Sequence, residues 1–146
     1  MAKRPVCAVL AASASALALA APANAADPIA ARPLAALEWA ETPEGVGFAP
    51  LVGDRFEEPY MAMVRLPAGT VSPAHVKSAN MFGIMIEGTM THVAAGADPS
   101  AAVPLSQGAF YMVPEGLAHV SRCVSEEPCV TFLYQDGKFD FLPVAQ

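Results

Sequence analysis

The run Gly108-Ala-Phe-Tyr-Met-Val-Pro114-Glu-Gly116-Leu-Ala-His119 decides how this chain is read. Bulky residues over Phe110–Val113 suit a short strand, Pro114 and Gly116 supply tight-turn geometry, and His119 opens the strand that follows. A strand, a Pro-x-Gly turn and an inward imidazole together make a segment that builds a site. The rest of the chain is punctuated in the same way. Gly or Pro recurs every few residues from Pro43 to Pro143, and the runs between them are β-rich: 60–66, 81–87, 89–93, 110–113, 118–123 and 130–135. No capped amphipathic helix of useful length interrupts them. Short strands at regular spacing predict an all-β sandwich or barrel.

The N-terminus sets the compartment. Lys3 and Arg4 precede an Ala/Leu-rich run ending near Ala21, and Ala23-Asn-Ala25 follows. A positive start, a short apolar middle and an A-x-A site predict a secretory signal peptide over 1–25, cleaved to give a periplasmic or secreted product. Cleavage leaves 121 of the 146 residues, enough for one domain with a core. Residues 26–36, rich in Ala and Pro, are expected to be a flexible lead-in, with the ordered barrel spanning 37–146.

Loss of Lys3 and Arg4 leaves six basic residues against 14 acidic ones, a formal charge of −8. Nucleic acid is therefore excluded as a partner, because phosphate binding needs clustered cations. Beyond the signal no apolar stretch is long enough to span a bilayer, so no membrane association is expected after cleavage. Cys7 leaves with the signal, and Cys123 and Cys129 remain in an oxidising compartment, where a disulfide is the expected state. Polar turn residues lie between them, which predicts cysteines facing each other across a hairpin neck.

The spacing G-x5-P-x-G-x2-H over Gly108, Pro114, Gly116 and His119 resembles the second signature of the cupin superfamily, with Cys123 where that signature usually carries Asn. The first signature, G-x5-H-x-H-x(3,4)-E-x6-G, maps onto Gly69, His75, Lys77, Met81 and Gly88. Lys77 stands where a second His is usual, and Met81 stands where a carboxylate is usual. The resemblance implies a single-domain jelly-roll β-barrel in which His75 and His119 approach each other. By word order the mature chain also resembles secreted bacterial single-domain cupins of unknown function, through Pro50–Asp54, Leu66–Thr70, His75, Glu87–His92, the cysteine pair and Gly137–Asp140.

Two further residues join the candidate site. His92 lies two positions beyond Met90, at the parity that faces inward in cupins, and is the candidate third ligand beside His75 and His119 for one divalent transition metal. Lys77 shares a strand face with His75 and repels such an ion unless burial neutralises its amine. Glu87 has the parity of Met81 and is the candidate partner of Lys77, either in a buried ion pair or as acid or base beside it. Alternatively, Lys77 sits at the mouth and attracts an anion, or extends into solvent. Met81, Met85 and Met90 are core fillers or, with the imidazoles, copper-type ligands.

Three functions follow from these readings. The first is a barrel binding a small polar or anionic molecule among His75, Lys77, His92 and His119. The second is a metal-dependent cupin enzyme of dioxygenase, isomerase or lyase type on His75, His92 and His119, with Lys77 or Glu87 as acid or base. The third is a scaffold whose site has decayed. Apolar side chains at both parities of Met81–Glu87 mean that something covers the outer face of that strand. A second subunit in a homodimer and a lid from residues 37–52 are the two candidates.

Overall fold

A computed structural model of the chain describes residues 29–144. The segment read as a signal peptide lies outside the described residues. Ten strands follow in order: β1 (Ala40–Glu41), β2 (Gly47–Val52), β3 (Tyr60–Leu66), β4 (His75–Val76), β5 (Met81–Glu87), β6 (Met90–Ala94), β7 (Phe110–Val113), β8 (His119–Cys123), β9 (Cys129–Gln135) and β10 (Leu142–Pro143). They form two antiparallel sheets. One has six strands in the order β1-β2-β3-β9-β5-β7, and the other has four in the order β10-β4-β8-β6. No helix among the described residues is long and apolar enough to cross a membrane.

Period-2 burial explains which side chains fill the space between the sheets. Along β5, Met81, Gly83 and Met85 point inward, and β9 contributes Cys129, Thr131 and Leu133. Together with Tyr60, Val64 and Leu66 of β3, Tyr111 of β7 and Met90 of β6 they make one core. Gly83 is what lets Tyr111 into it. A Cβ at position 83 would lie 2.1 Å from Tyr111 Cζ, so the ring occupies the volume that any other residue would need.

Four strands escape the sequence pattern. β2 carries Gly47 and Pro50, which read as breakers, yet Pro50 lies beyond the reach of the two-residue β1 and at a register shift against β3. Its missing N–H therefore breaks no ladder on that side. β10 likewise tolerates Pro143 because it is the edge of the smaller sheet. β1 and β4 are two residues each, too short to show alternation.

The lead-in packs earlier than its composition suggests. Leu34–Ala36 form a 3₁₀ turn, and Leu34, Leu37 and Trp39 lie against Met63, Val130 and Ile86 on the outer face of the large sheet. This segment, starting three residues ahead of the predicted boundary, covers the Ile86 end of β5. The other end stays open, with Ile84 44% and Phe110 62% exposed.

Cys123 and Cys129 form a disulfide with Cα atoms 5.7 Å apart. The strands they close do not form a hairpin. β8 belongs to the four-stranded sheet and β9 to the six-stranded one, so the bridge staples the two sheets at a corner. The sequence shows polar residues between two apolar runs, and that pattern is common to hairpins and sheet-to-sheet crossings alike. The double variant Cys123→Ser/Cys129→Ser is expected to lose about 2 kcal/mol of stability, since the closed loop is short. Urea unfolding of the oxidised wild type and the variant checks this.

Candidate functional site

A cavity of about 500 Å³ opens between the sheets. The segments that frame it are those carrying the two histidine-bearing motifs. Gly116 adopts φ +70°, which only glycine takes without strain, and its N–H donates to the Lys77 carbonyl. That bond ties the Pro-x-Gly turn to the end of β4. One step on, His119 pairs in register with His75.

The two rings stand 4.2 Å apart between centroids, and His92 lies 6.2 Å from His119. All three imidazoles are thus brought together, but unequally. His75 and His92 line the cavity, whereas His119 is packed behind them and does not reach its wall. His75 Nδ1 lies 2.9 Å from the Pro73 carbonyl and His119 Nδ1 lies 3.0 Å from the Leu117 carbonyl. A carbonyl only accepts, so both neutral rings carry their proton on Nδ1 and present a bare lone pair at Nε2. His92 Nδ1 meets Ser121 Oγ at 2.9 Å, and its ring packs on Tyr111 at 4.4 Å. The Nε2 atoms of His92 and His119 are buried without a hydrogen-bond partner among the described residues.

Burial keeps these rings neutral. His75 is lowered to about 4 mainly by desolvation, with smaller contributions from His119 and Lys77, against a hydrogen bond to Pro73 that raises it. His92 is lowered to about 4 by desolvation and then by the other two imidazoles. His119 moves the same way for the same first reason, and the nearby Lys77 charge adds to it.

Lys77 lies just past the end of β4, 5% exposed, and lines the cavity. Its Nζ donates to the Asp140 backbone carbonyl and sits 3.7 Å above the centroid of the Phe139 ring. Among the described residues no carboxylate forms an ion pair with it. Two of its three protons therefore remain for a ligand. Desolvation lowers its amine from 10.5 to about 8, opposed by Asp140 and assisted by Arg55.

Glu87 does not join Lys77. The β5 register slips between Met85 and Glu87, so Glu87 pairs with Val130, whose side chain packs on the outer face. A bulge of this kind reverses the parity on which the predicted ion pair and acid–base role depend. Glu87 is exposed and lines an outer groove with Trp39 and Arg65. Met81 and Met90 line the cavity, and Met85 is core.

The C-terminal strap contributes what the sequence did not reveal. β10 pairs with β4, Leu142 opposite Val76 and Pro143 opposite His75. This lays Phe141 flat on His75 at 4.0 Å and 17° and brings Phe139 onto Lys77. Asp140 accepts from the Ser78 N–H. On the far side Arg55 stacks on Phe48 at 4.2 Å and on Phe56 at 4.5 Å, locking the strap's Phe139 between cations.

Residues 30–138 match the ChrR cupin-like domain. The chain belongs to that cupin family. No curated protein matches it. Among solved structures this cupin is similar to the polyketide cyclase RemF from Streptomyces resistomycificus, with TM-score 0.63 and 13% identity over 82% of this chain and 87% of that one. It is also similar to KdgF from Halomonas sp., with TM-score 0.55 and 16% identity over 68% and 87%. An RmlC-like cupin from Shewanella frigidimarina gives TM-score 0.57 and 14% identity over 72% and 88%. At these identities the likeness shows the fold. Fold does not settle chemistry, since one barrel hosts many activities.

A divalent metal can be tested against the donors this cupin presents. His75 and His119 have the correct tautomer, each oriented by a backbone carbonyl as metal-bound imidazoles usually are. Yet the described residues gather no set of three His, Cys, Asp or Glu side chains able to hold an ion. The substituted positions account for this. Met81 removes the carboxylate, and Lys77 places a cation in the same cavity. The arrangement does not make a closed metal centre.

Proposed function

We propose that this cupin is an exported binding protein that takes a small anionic molecule at Lys77, with His75 and His92 flanking it. The observation that carries the reading is the Lys77 amine: buried among aromatic rings, facing a cavity, and bonded to a carbonyl with no carboxylate among the described residues paired to it. A buried charge without a counter-ion is costly, and an anion entering the cavity offsets that cost. The corner disulfide supports an oxidising compartment.

A thermal-unfolding screen with carboxylates and phosphates tests the proposal. At least one of these anions raises the Tm of the wild type and leaves that of Lys77→Met unchanged. Equal shifts in both proteins, or none in either, overturn it.

A second reading, a metal-dependent enzyme, is favoured by one observation: the bare Nε2 lone pairs of His75 and His119 and the unpartnered Nε2 of His92. Elemental analysis of purified protein separates the two readings. One equivalent of a transition metal, lost in His119→Ala, replaces the first reading by the second.

A further inference from the structure

We infer that the ligand is an amphipathic monoanion, a carboxylate seated on Lys77 that carries an apolar body of at least one fused-ring or medium-chain size. The inference rests on the anion-binding reading and narrows it, because the two walls of the cavity differ in character.

Polar groups come from the side of the four-stranded sheet. Thr70 and Ser72 precede β4, His75 and Lys77 belong to it or follow it, His92 is on β6, and Ser121 is on β8. The opposite wall comes from the six-stranded sheet and is apolar, with Phe48 on β2, Val64 and Leu66 on β3, Met81 on β5 and Leu133 on β9. The polar side chains on that sheet's strands, Tyr60, Tyr111 and Thr131, are already bonded within the protein: Tyr60 Oη donates to Gln135 Oε1 at 3.3 Å, Thr131 donates to the Ile84 carbonyl, and Tyr111 Oη meets Thr131 Oγ1 at 3.1 Å. They therefore ask little of a ligand.

Charge count sets the valence. Among the described residues lining the cavity there is one cation, Lys77, and one carboxylate, Glu44, which is exposed at the mouth. A second negative charge on the ligand would find no second cation in that lining. Size follows from the walls. A cavity of about 500 Å³ is within the range that encloses a drug-sized molecule. A two- or three-carbon acid would leave most of the apolar wall wet, whereas each further buried methylene adds about 0.8 kcal/mol. Phe139 and Phe141 close the cavity from the strap and extend the apolar surface up to the Lys77 amine.

Isothermal calorimetry at pH 7 tests this with three probes: 2-naphthoate, its neutral counterpart 2-naphthalenemethanol, and citrate. The wild type binds naphthoate at least about tenfold more tightly than either control. Lys77→Met weakens naphthoate by about ten- to a hundredfold, the loss of one charge-assisted hydrogen bond. Val71→Glu, at a partly exposed position of the cavity lining, gives a second check that leaves Lys77 in place. Val71 is 51% exposed, so the variant keeps its fold, and its added carboxylate weakens naphthoate by a larger factor than it weakens naphthalenemethanol.

Citrate binding at Lys77 with naphthoate no tighter overturns the amphipathic class but leaves the anion site standing. Naphthalenemethanol matching naphthoate overturns the role of charge. No binding by any of the three overturns the inference and the reading beneath it.

Discussion

Gly83→Ala is expected to lose about 3 kcal/mol or more of folding stability, the upper end of what overpacking a core costs. The new Cβ would meet Tyr111 Cζ at 2.1 Å and Oη at 2.3 Å, and this is no loose side-chain end that can swing away. Tyr111 is buried, its hydroxyl is held by Thr131, and its ring carries His92. Burial pushes its phenol up to about 12, so the hydroxyl stays protonated and the bond to Thr131 persists at neutral pH. The substitution therefore damages the candidate site as well as the core. Urea unfolding of Gly83→Ala, Tyr111→Leu and the double variant measures the coupling. A positive coupling of more than about 1 kcal/mol is expected for residues in such contact. Wild-type stability in Gly83→Ala would refute the packing.

Acid is the second large effect. His75 and His92 titrate near 4 when folded but near 6.5 when unfolded. Between these values the unfolded chain binds protons that the folded chain refuses, so stability falls as the pH falls. The contribution is complete above pH 6.5, drains progressively below it, and is gone once pH passes the folded value near 4. For His92, whose Nε2 is buried, the full swing is on the order of 3 kcal/mol. His75 shifts in the same direction and for the same first reason. Marginal stabilities of about 5–15 kcal/mol make such a loss visible. Urea midpoints measured at pH 7, 6 and 5 should decline steadily, and the decline should shrink in His92→Gln. An unchanged midpoint from pH 7 to pH 5 contradicts neutral, buried imidazoles.

Much of the fold is legible because strand parity is a local signal. The runs read as 60–66, 81–87 and 110–113 coincide with β3, β5 and β7. The same parity argument relates Lys77 to His75, and the structure places both on the cavity. It fails for Glu87, because one inserted residue before the strand end flips the face, and nothing in Met81–Glu87 announces the bulge. The cysteine pair shows another limit. Two strands joined by a short polar loop look alike whether they pair with each other or with different sheets, and only the remote partners of β8 and β9 distinguish the cases. The strap is the largest omission. Phe139 and Phe141 reach His75 and Lys77 across more than sixty residues, through pairing of two-residue strands that carry no periodicity of their own. A hint was present in the sequence: two aromatics flanking Asp140 after Gly137 are more than a solvated tail requires.

The account depends on an amine enclosed by aromatic rings, and nuclear magnetic resonance of Lys77 tests it most directly. With the protein labelled on lysine side chains and Lys77→Met used to assign the signal, the Lys77 Cε and Nζ resonances are followed against pH. The account predicts a midpoint near 8, well below the ordinary 10.5, with ring-current shifts from Phe139. A midpoint at the ordinary value, without those shifts, would put the amine in bulk water and leave the cavity without its cation.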